Sequence, residues 1–362
     1  MEVLDVRNVH EALPRAIDLL QQIGVRRESR NGPVLVAPVP VTTVYRRPTE
    51  RVLFWPERDA NPFFHLYESL WMLAGRNDLA PLLRYVTTFG QFSDDGRTLS
   101  GAYGYRWRKN WDDDQLAVIA RRLRENPDDR RCVLQMWDCS YDLDADLKDI
   151  PCNLVITFQR DAAGALDMTV FCRSNDIILG AYGANAVHFS MLQEYLALWI
   201  GCAVGRYWQV SVNWHAYLDT LDKLKDLPRR IEGLYSVPSV AWDPYRSEGL
   251  RPISMVEPID GESGDETIGR VDRLIAHLLL YADTDCRLPY ELNDDEPWAD
   301  VVLAMFRAHW AWRSLAAPER FTAADAALAR ADQAVDWVVA GRQWLARRMQ
   351  RWSSAMSGAM AR

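Results

Sequence analysis

The spacing of apolar and polar residues along the first part of the chain predicts two helices. From Val9 to Ile23, apolar residues recur every three or four positions, as they do on the buried face of an amphipathic helix. From Asn61 to Gly75, an Asn-Pro start and a glycine stop enclose an almost continuous apolar stretch. Glu68 lies within that stretch, where a carboxylate is costly unless it is paired or takes part in chemistry.

The middle of the chain predicts strands around a buried helix. Asn153 to Arg160 and Ala165 to Arg173 are strand-like segments joined by a turn sequence at Asp161 to Gly164, which is typical of a β-hairpin. The apolar run from Val187 to Ile200 indicates a buried helix. The stretch from Val204 to Val212 then indicates a further strand that leads toward His215 and Tyr217.

Three further segments complete the predicted core. A strand broken by prolines is expected between Val34 and Val44, at the edge of a sheet because proline cannot donate to the ladder. A helix from Asp114 to Asn126 and a strand from Cys132 to Trp137 follow. Helices and strands are thus mixed, and the fold class is α+β.

From Glu296 onward the pattern predicts long helices rich in Trp, Ala and Arg. We therefore expect a catalytic domain over residues 1–295 and a helical C-terminal extension over residues 296–362. Tryptophan and arginine can stack on nucleic-acid bases. We favour the alternative that these helices pack on the main domain and bury their tryptophans.

Composition and charge limit the classes of function. The 362 residues are 49% hydrophobic and 25% charged, and neither a membrane-length apolar run nor a secretory signal is present, so a cytoplasmic location is expected. The net charge of -8 argues against a general nucleic-acid surface, so any phosphate must be recognised locally by a few arginines. The six cysteines lack zinc spacing and are expected to be free thiols, with no metal.

Chemically distinctive residues are concentrated between Asp149 and Tyr217. They comprise a candidate thiol nucleophile, an arginine-hydroxyl pair suited to an anion, an amide near a glycine turn, and a His/Tyr pair. These residues are Cys152, Arg173, Ser174, Gly180, Asn185, His215 and Tyr217. Together they predict a pocket in which sulfur attacks a phosphorylated molecule.

Two basic segments and one aromatic segment have alternative interpretations. The arginines from Arg26 to Arg30 form either a solvated loop or a phosphate-binding arm, and Arg130-Arg131 at the start of a strand are either solvated or a phosphate clamp. The aromatic residues between Arg84 and Trp107 are either core or a wall on which flat rings stack.

These motifs, in this order, resemble the thymidylate synthase superfamily, which includes pyrimidine-nucleotide hydroxymethylases. The resemblance covers roughly Arg26 to Asp219. It rests on the motifs Pro151-Cys152, Arg173-Ser174-Asn175-Asp176, Leu179-Gly180, His215-Ala216-Tyr217-Leu218, His65-Leu66-Tyr67-Glu68-Ser69-Leu70-Trp71, Tyr103-Gly104-Tyr105-Arg106-Trp107 and Arg130-Arg131. It implies a large mixed or antiparallel sheet packed by helices, and a homodimer formed through that sheet.

The resemblance also implies roles for individual residues. Cys152 matches the nucleophile that attacks C6 of a pyrimidine and so activates C5, and Arg173 and nearby arginines would favour its thiolate. Glu68 and Tyr103 match residues that assist at the base, and Asn185 matches the one that reads the base edge. The implied phosphate ligands are Arg30, Arg173, Ser174 and, from the other subunit, Arg130 and Arg131. The implied sugar ligands are His215 and Tyr217, and the implied folate contacts are Phe89, Asp176 and Gly180.

The implied carbon donor is 5,10-methylenetetrahydrofolate, and departures from the synthase pattern bear on the product. Asn153 and Cys172 stand where synthases have histidine and glutamine, Phe89 and Phe92 replace tryptophans, and the glycine-to-Asn185 spacing is one residue longer. No C-terminal folate-closing segment is recognisable. Because altered packing would admit water to the exocyclic methylene, we favour hydroxymethylation over methylation.

The base and the sugar stay open at this stage. Asn185 can pair with uracil or, flipped, with cytosine. A cytidylate-type substrate, CMP or dCMP, is favoured by similarity to cytidylate hydroxymethylases. The alternatives are dUMP hydroxymethylation, thymidylate synthesis from dUMP, and a catalytically silent nucleotide-binding protein.

Overall fold

In the computed structural model, residues 1–227, 243–257, 259–287 and 296–360 are described. Over these residues, eight strands form one mixed sheet in the order β1-β4-β8-β7-β6-β5, with a β2-β3 hairpin joined to β8. The strands are β1 (Glu2–Val6), β2 (Val25–Ser29), β3 (Gly32–Val36), β4 (Val41–Tyr45), β5 (Val133–Gln135), β6 (Asn153–Arg160), β7 (Leu166–Asp176) and β8 (Val204–Tyr217).

The helices predicted at Val9–Ile23, Asn61–Gly75, Asp114–Asn126 and Val187–Ile200 are present close to those positions, and the main body contains further helices beyond these four. The helices of the main body are α1 (Val9–Ile23), α2 (Pro62–Leu73), α3 (Tyr103–Arg108), α4 (Gln115–Glu125), α5 (Asn185–Ile200), α6 (Leu218–Leu221), α7 (Pro244–Ser247) and α8 (Gly264–Asp283). Asn61 caps α2 by accepting from the N–H of Phe64. Gly201 ends α5 in the left-handed conformation, as expected from a glycine after an apolar run.

The β6-β7 hairpin and the parallel pair β7-β8 form the centre of the sheet. Side chains such as Met168, Val170 and Tyr207 on one face of these strands are fully or almost fully buried. Helix α5 packs against that face and is itself contacted by α2, α4 and α8. The predicted α+β class and the mixed sheet are confirmed.

Two local predictions were wrong. The segment from Arg26 to Arg30 is not a loop, because Val25–Ser29 pairs with Gly32–Val36 as an antiparallel hairpin. Its side chains are all exposed, so no alternation of apolar and polar residues marked it as a strand. The prolines do separate β3 from β4, but β4 lies between β1 and β8 and is not at an edge.

The C-terminal helices are α9 (Pro297–Ser314), α10 (Glu319–Leu328) and α11 (Asp336–Met360). Helices α9 and α11 contact α2, and Trp344 meets Phe63 edge to face at 5.4 Å. Trp298, Trp337 and Trp344 are each only 2% exposed. Burial of these rings in the same core as α2 means that they are not available to stack on bases.

The division at residue 295 stays a prediction, since residues 288–295 lie outside those described. Across the described part of the chain, none of the helices combines the length and apolar character needed to cross a membrane.

Candidate active site

A cleft of about 560 Å³ opens beside β7, β8 and the β2-β3 hairpin. Seven of the residues that the sequence marked as site residues line it. They are Arg30, Cys152, Arg173, Ser174, Asp176, His215 and Tyr217. Parallel pairing of β7 with β8 sets Asp176 opposite His215, and pairing of β3 with β8 sets Val34 opposite Tyr217. The sheet register therefore brings residues that are distant in sequence into one cleft.

The backbone of Cys152 is fixed on both sides. Its carbonyl accepts a hydrogen bond from the N–H of Arg173 at 2.9 Å. Its N–H donates to the hydroxyl oxygen of Tyr103 at 3.3 Å, and that oxygen also accepts from the N–H of Asn153 at 3.3 Å. Tyr103 thus holds the chain segment that carries the nucleophile, and burial raises the pKa of its hydroxyl well above the usual value, keeping it neutral.

Burial and nearby charges have opposing effects on the pKa of the Cys152 thiol. Burial raises the pKa of its thiol above the ordinary value; the charge of Arg173 lowers the pKa, and the carboxylate of Asp149 raises it further. The predicted influence of Arg173 therefore has the right sign, but within this chain desolvation outweighs one arginine and the pKa of the thiol is raised.

Arg173 is oriented by the loop before the nucleophile. Its Nε donates to the carbonyl of Pro151 at 2.9 Å and its Nη2 to the carbonyl of Ile150 at 3.1 Å, and the guanidinium lies 5.7 Å from the ring centre of Trp137. Among the described residues, Nη1 has no acceptor. A guanidinium held in this way presents a fixed donor to an anion in the cleft.

Asn185 belongs to a chain of buried side-chain amides. Its Oδ1 accepts from Asn153 at 3.4 Å and its Nδ2 donates to Asn175 at 3.0 Å, while Asn175 donates to the hydroxyl of Ser211 at 3.0 Å. A Cβ on Gly180 would lie 2.8 Å from Oδ1 of Asn175, so this close approach requires glycine. Asn185 retains one N–H and one lone pair for a base edge.

The extra residue before Asn185 is accommodated by a change of helix type. Residues Ile177–Ala184 form a π-helical segment with non-helical backbone at Tyr182 and Gly183, and α5 begins at Asn185. A π turn takes in one residue more than an α turn. The longer spacing therefore still places Asn185 against Asn153, the first residue of β6 and the residue that follows the nucleophile.

Glu68 is not among the residues that line the cleft. Its Oε2 is 3.1 Å from Nε2 of His188, and both side chains are almost completely buried. The ring of His188 lies 6.2 Å from that of His65, whose pKa burial lowers well below its usual value. The sequence predicts that this carboxylate is either paired or takes part in chemistry, and in the structure it is paired with His188.

Asp176 lines the cleft, and one of its carboxylate oxygens is hydrogen-bonded to the backbone while the other is not. Its Oδ1 accepts from the N–H groups of Ile178 and Leu179 at 2.7 Å each, while its buried Oδ2 has no hydrogen-bond partner in the described structure. Phe92 lines the same cleft with 40% exposure and contacts Phe89 edge to face at 5.7 Å. Phe89 supports this wall from behind, against Phe64.

His215 and Tyr217 lie side by side at the sheet end, with ring centres 5.5 Å apart. Nδ1 of His215 is 3.2 Å from the carbonyl oxygen of Asn213, and the hydroxyl of Tyr217 accepts from the side-chain amide of Asn31 at 3.4 Å. Arg30 precedes Asn31 in the turn of the β2-β3 hairpin. This turn brings the predicted phosphate arginine next to the predicted sugar ligands.

Arg130 and Arg131 do not line the cleft of their own chain. Both are exposed just before β5, and Arg131 is hydrogen-bonded to Asp129. The cleft within one chain is therefore assembled without them.

The residue that the sequence interpretation left without a role is Asp149. Its carboxylate lines the cleft three positions before Cys152, and its Oδ2 accepts the N–H of Gly101 at 2.8 Å. Burial raises its pKa, and the charges of Asp94 and Glu68 raise it further, against the opposing effects of the Gly101 hydrogen bond and Arg106. The sequence signal that could have identified Asp149 as a site residue is its position three residues before the candidate nucleophile.

Comparison with known proteins identifies the family of the chain. Residues 56–249 match the family model described as thymidylate synthase. A protein of Pseudomonas phage M6 named deoxyuridylate hydroxymethyltransferase is 46% identical over 365 residues, covering 99% of this chain and 98% of the relative. Proteins of the same name from Bacillus phage SP01 and Delftia phage PhiW-14 are 39% and 30% identical, over 191 and 194 residues. These two alignments cover 50% of this chain each, and 50% and 53% of the relatives.

Proposed function

The chain belongs to the thymidylate synthase family and is a one-carbon transferase, and we propose that it converts dUMP to 5-hydroxymethyl-dUMP. The observation that carries this proposal is the 46% identity to a named deoxyuridylate hydroxymethyltransferase over nearly the whole of both chains. The relatives do not support the cytidylate preference expected from the sequence. Asn185 offers one donor and one acceptor, which suits uracil O4 and N3–H.

Cys152 begins the reaction by adding to C6 of the uracil ring. The ring of a pyrimidine is electron-poor, and addition of sulfur turns C5 into a nucleophilic carbon. Because burial raises the pKa of Cys152, ionisation of the thiol depends on positive charge near the sulfur, and Arg173 supplies it from within the chain. Tyr103 keeps the backbone of the nucleophile in place during attack.

The phosphate of the nucleotide is proposed to lie between Arg30, Arg173 and Ser174, with His215 and Tyr217 at the sugar. All five residues line one cleft, and the free Nη1 of Arg173 is a donor without a described protein acceptor. Arg30 and Arg173 place positive charge inside the cleft, so the protein can bind an anion there although its net charge is -8.

The co-substrate is proposed to be 5,10-methylenetetrahydrofolate, as in related enzymes, and the residues present fit it. The unpartnered Oδ2 of Asp176 is an acceptor for ring N–H groups, and the exposed face of Phe92, supported by Phe89, suits a flat ring. Gly180 keeps space clear beside Asn175. When bound, this co-substrate supplies a one-carbon unit to C5.

We also propose a homodimer formed through the open face of the sheet. Register places Val133, Thr169 and Phe171 on one face, and Val212 lies on the same face of β8. Val133, Phe171 and Val212 are 46%, 36% and 58% exposed. Self-association would cover these apolar side chains. It would allow Arg130 and Arg131 to reach the partner's cleft, where their charge would further favour the thiolate.

The test is incubation with methylenetetrahydrofolate and, separately, dUMP, dCMP and CMP. We expect dUMP to gain CH2O by mass spectrometry, with no dihydrofolate absorbance. Gain of CH2 together with dihydrofolate would identify a thymidylate synthase instead, since only that reaction oxidises the folate. Reaction of a cytidylate in preference to dUMP would overturn the choice of base, and absence of product from all three would favour a silent nucleotide-binding protein.

A further inference from the structure

Water addition distinguishes hydroxymethylation from methylation, and it needs a base next to the reacting carbon. That carbon is the exocyclic methylene on C5, which is separated from the sulfur of Cys152 only by C6 and C5. A general base must reach the water directly, within hydrogen-bond distance. The base is therefore expected to be a carboxylate that shares the cleft with Cys152.

Of the carboxylates near Cys152, Asp149 meets this requirement best. It lines the cleft with Cys152, and its charge acts on the sulfur, raising the pKa of the Cys152 thiol. Glu68 does not line the cleft and lies 3.1 Å from His188. Asp176 also lines the cleft, but its Oδ1 accepts two backbone N–H groups at the start of the π-helical segment.

The carboxylate of Asp149 is held firmly by one oxygen only. Oδ2 accepts the N–H of Gly101, and a Cβ on residue 101 would lie 2.8 Å from Oδ1, so glycine is needed for the carboxylate to pack there. Over the described residues, Oδ1 accepts no hydrogen bond. One oxygen thus fixes the group while the other is available to a water molecule.

We propose that Asp149 is the general base that deprotonates the water added to the exocyclic methylene. The inference rests on the proposed function. As the water oxygen bonds to the methylene carbon, Asp149 takes one of its protons, and the electrons of the C5=CH2 bond move onto the C4 carbonyl as an enolate. Return of those electrons forms C5=C6 and breaks the C6–S bond, releasing the thiolate of Cys152. Nothing is oxidised or reduced.

Burial and the charges around Asp149 increase the affinity of its carboxylate for a proton. Burial, Asp94 and Glu68 raise its pKa, whereas Arg106 and the N–H of Gly101 lower it, and the net direction is upward. A carboxyl with a raised pKa is a stronger base once ionised. The same ionised group raises the pKa of Cys152, so its neutralisation after taking the proton assists departure of the sulfur as thiolate.

The test compares Asp149→Asn with Asp94→Asn in the full chain. Asparagine at 149 can still accept the N–H of Gly101 but cannot take a proton. Asp94 is the control because it is exposed and does not line the cleft. Its replacement by asparagine also removes one negative charge that acts on Asp149. Release of tritium from [5-³H]dUMP reports formation of the exocyclic methylene, and mass spectrometry reports the hydroxymethyl product.

For Asp149→Asn we expect tritium release within a few-fold of the wild type and a loss of product of about 100-fold or more. Added 2-mercaptoethanol should then trap the methylene as a thioether. Independently of folate, iodoacetamide should alkylate Cys152 at lower pH in Asp149→Asn, because a charge that raises the thiol pKa is gone. Asp94→Asn should retain a wild-type ratio of product to tritium.

Equal losses of tritium release and product in Asp149→Asn would overturn the inference, because Asp149 would then act before water addition. Unchanged product would overturn it as well. Failure of the proposed function can be distinguished from failure of this inference. If the proposed function is wrong, the wild-type protein itself yields no hydroxymethyl-dUMP.

Discussion

The hydroxyl oxygen of Tyr103 accepts the backbone N–H of Cys152 at 3.3 Å, and so ties helix α3 to the nucleophile. Replacement by phenylalanine leaves this N–H and that of Asn153 without their acceptor. We expect Tyr103→Phe to lose about 1–3 kcal/mol of unfolding free energy and to lower kcat more than it raises KM for dUMP. Urea unfolding and steady-state kinetics measure both, and an unchanged kcat would show that the bond does not position the nucleophile.

Cys152 and Cys172 provide a matched pair for testing the nucleophile. Both thiols have raised pKa values because of burial, but only Cys152 lines the cleft; Cys172 donates to the carbonyl of Ser174. We expect Cys152→Ser to abolish turnover while retaining dUMP binding, and Cys172→Ser to retain most activity. Product formation and equilibrium dUMP binding check this, and turnover by Cys152→Ser would remove Cys152 from the mechanism.

Arg106 and Asp142 form a buried ion pair that anchors the loop before the nucleophile. Two guanidinium nitrogens donate to the two carboxylate oxygens at 2.6 and 2.8 Å, and the side chains are 2% and 0% exposed. Asp142→Ala leaves a buried charge unpaired, and we expect a loss of about 3–5 kcal/mol. Asp5→Ala, which breaks the exposed pair with Arg46, should cost no more than about 1 kcal/mol by the same denaturant titration.

Asp336 makes stability depend on pH. Burial raises its pKa to about 7, with the hydroxyl of Tyr245 and the charge of Arg51 opposing the shift. Between the lower pKa of Asp336 in the unfolded chain and its pKa of about 7 in the folded protein, the folded state holds a proton that the unfolded state has released. The contribution of Asp336 to the free energy of unfolding therefore falls as the pH rises through this range.

We expect the wild type to lose about 3 kcal/mol more than Asp336→Asn between pH 5 and pH 8. Urea unfolding of both proteins at the two pH values gives the difference. An equal pH dependence in the two proteins would show that Asp336 is ionised in the folded state.

Exchange of arginines between subunits can be tested by mixing inactive variants. The Cys152→Ser variant lacks the nucleophile in its own cleft. The double variant with Arg130→Ala and Arg131→Ala keeps its own nucleophile but would lack the two arginines that it contributes to the phosphate site of the partner subunit. If the dimer is as proposed, co-refolding equal amounts restores about a quarter of the sites, because only half the dimers are mixed and each has one intact site. No recovery in a mixture shown to contain mixed dimers would indicate that the arginines act elsewhere.

Local sequence determined the elements whose signals lie in a few neighbouring residues. The periodic stretch from Val9 to Ile23 is a helix with those same ends, and Asn61 and Gly201 act as the expected helix signals. The ordered motifs from Glu68 to Tyr217 identified the family. A helix period, a cap or a motif is set by spacing along the chain, so it can be found without knowing what packs against it.

Only the tertiary structure decided properties that depend on distant parts of the chain. The exposed strand Val25–Ser29 exists because it pairs with β3, and the pKa of Cys152 is raised because desolvation by its surroundings outweighs Arg173. The place of Asp149 in the cleft depends on Gly101, which lies far from it in sequence. Burial, strand pairing and electrostatic interaction act through space, and the spacing of residues along one segment carries no measure of them.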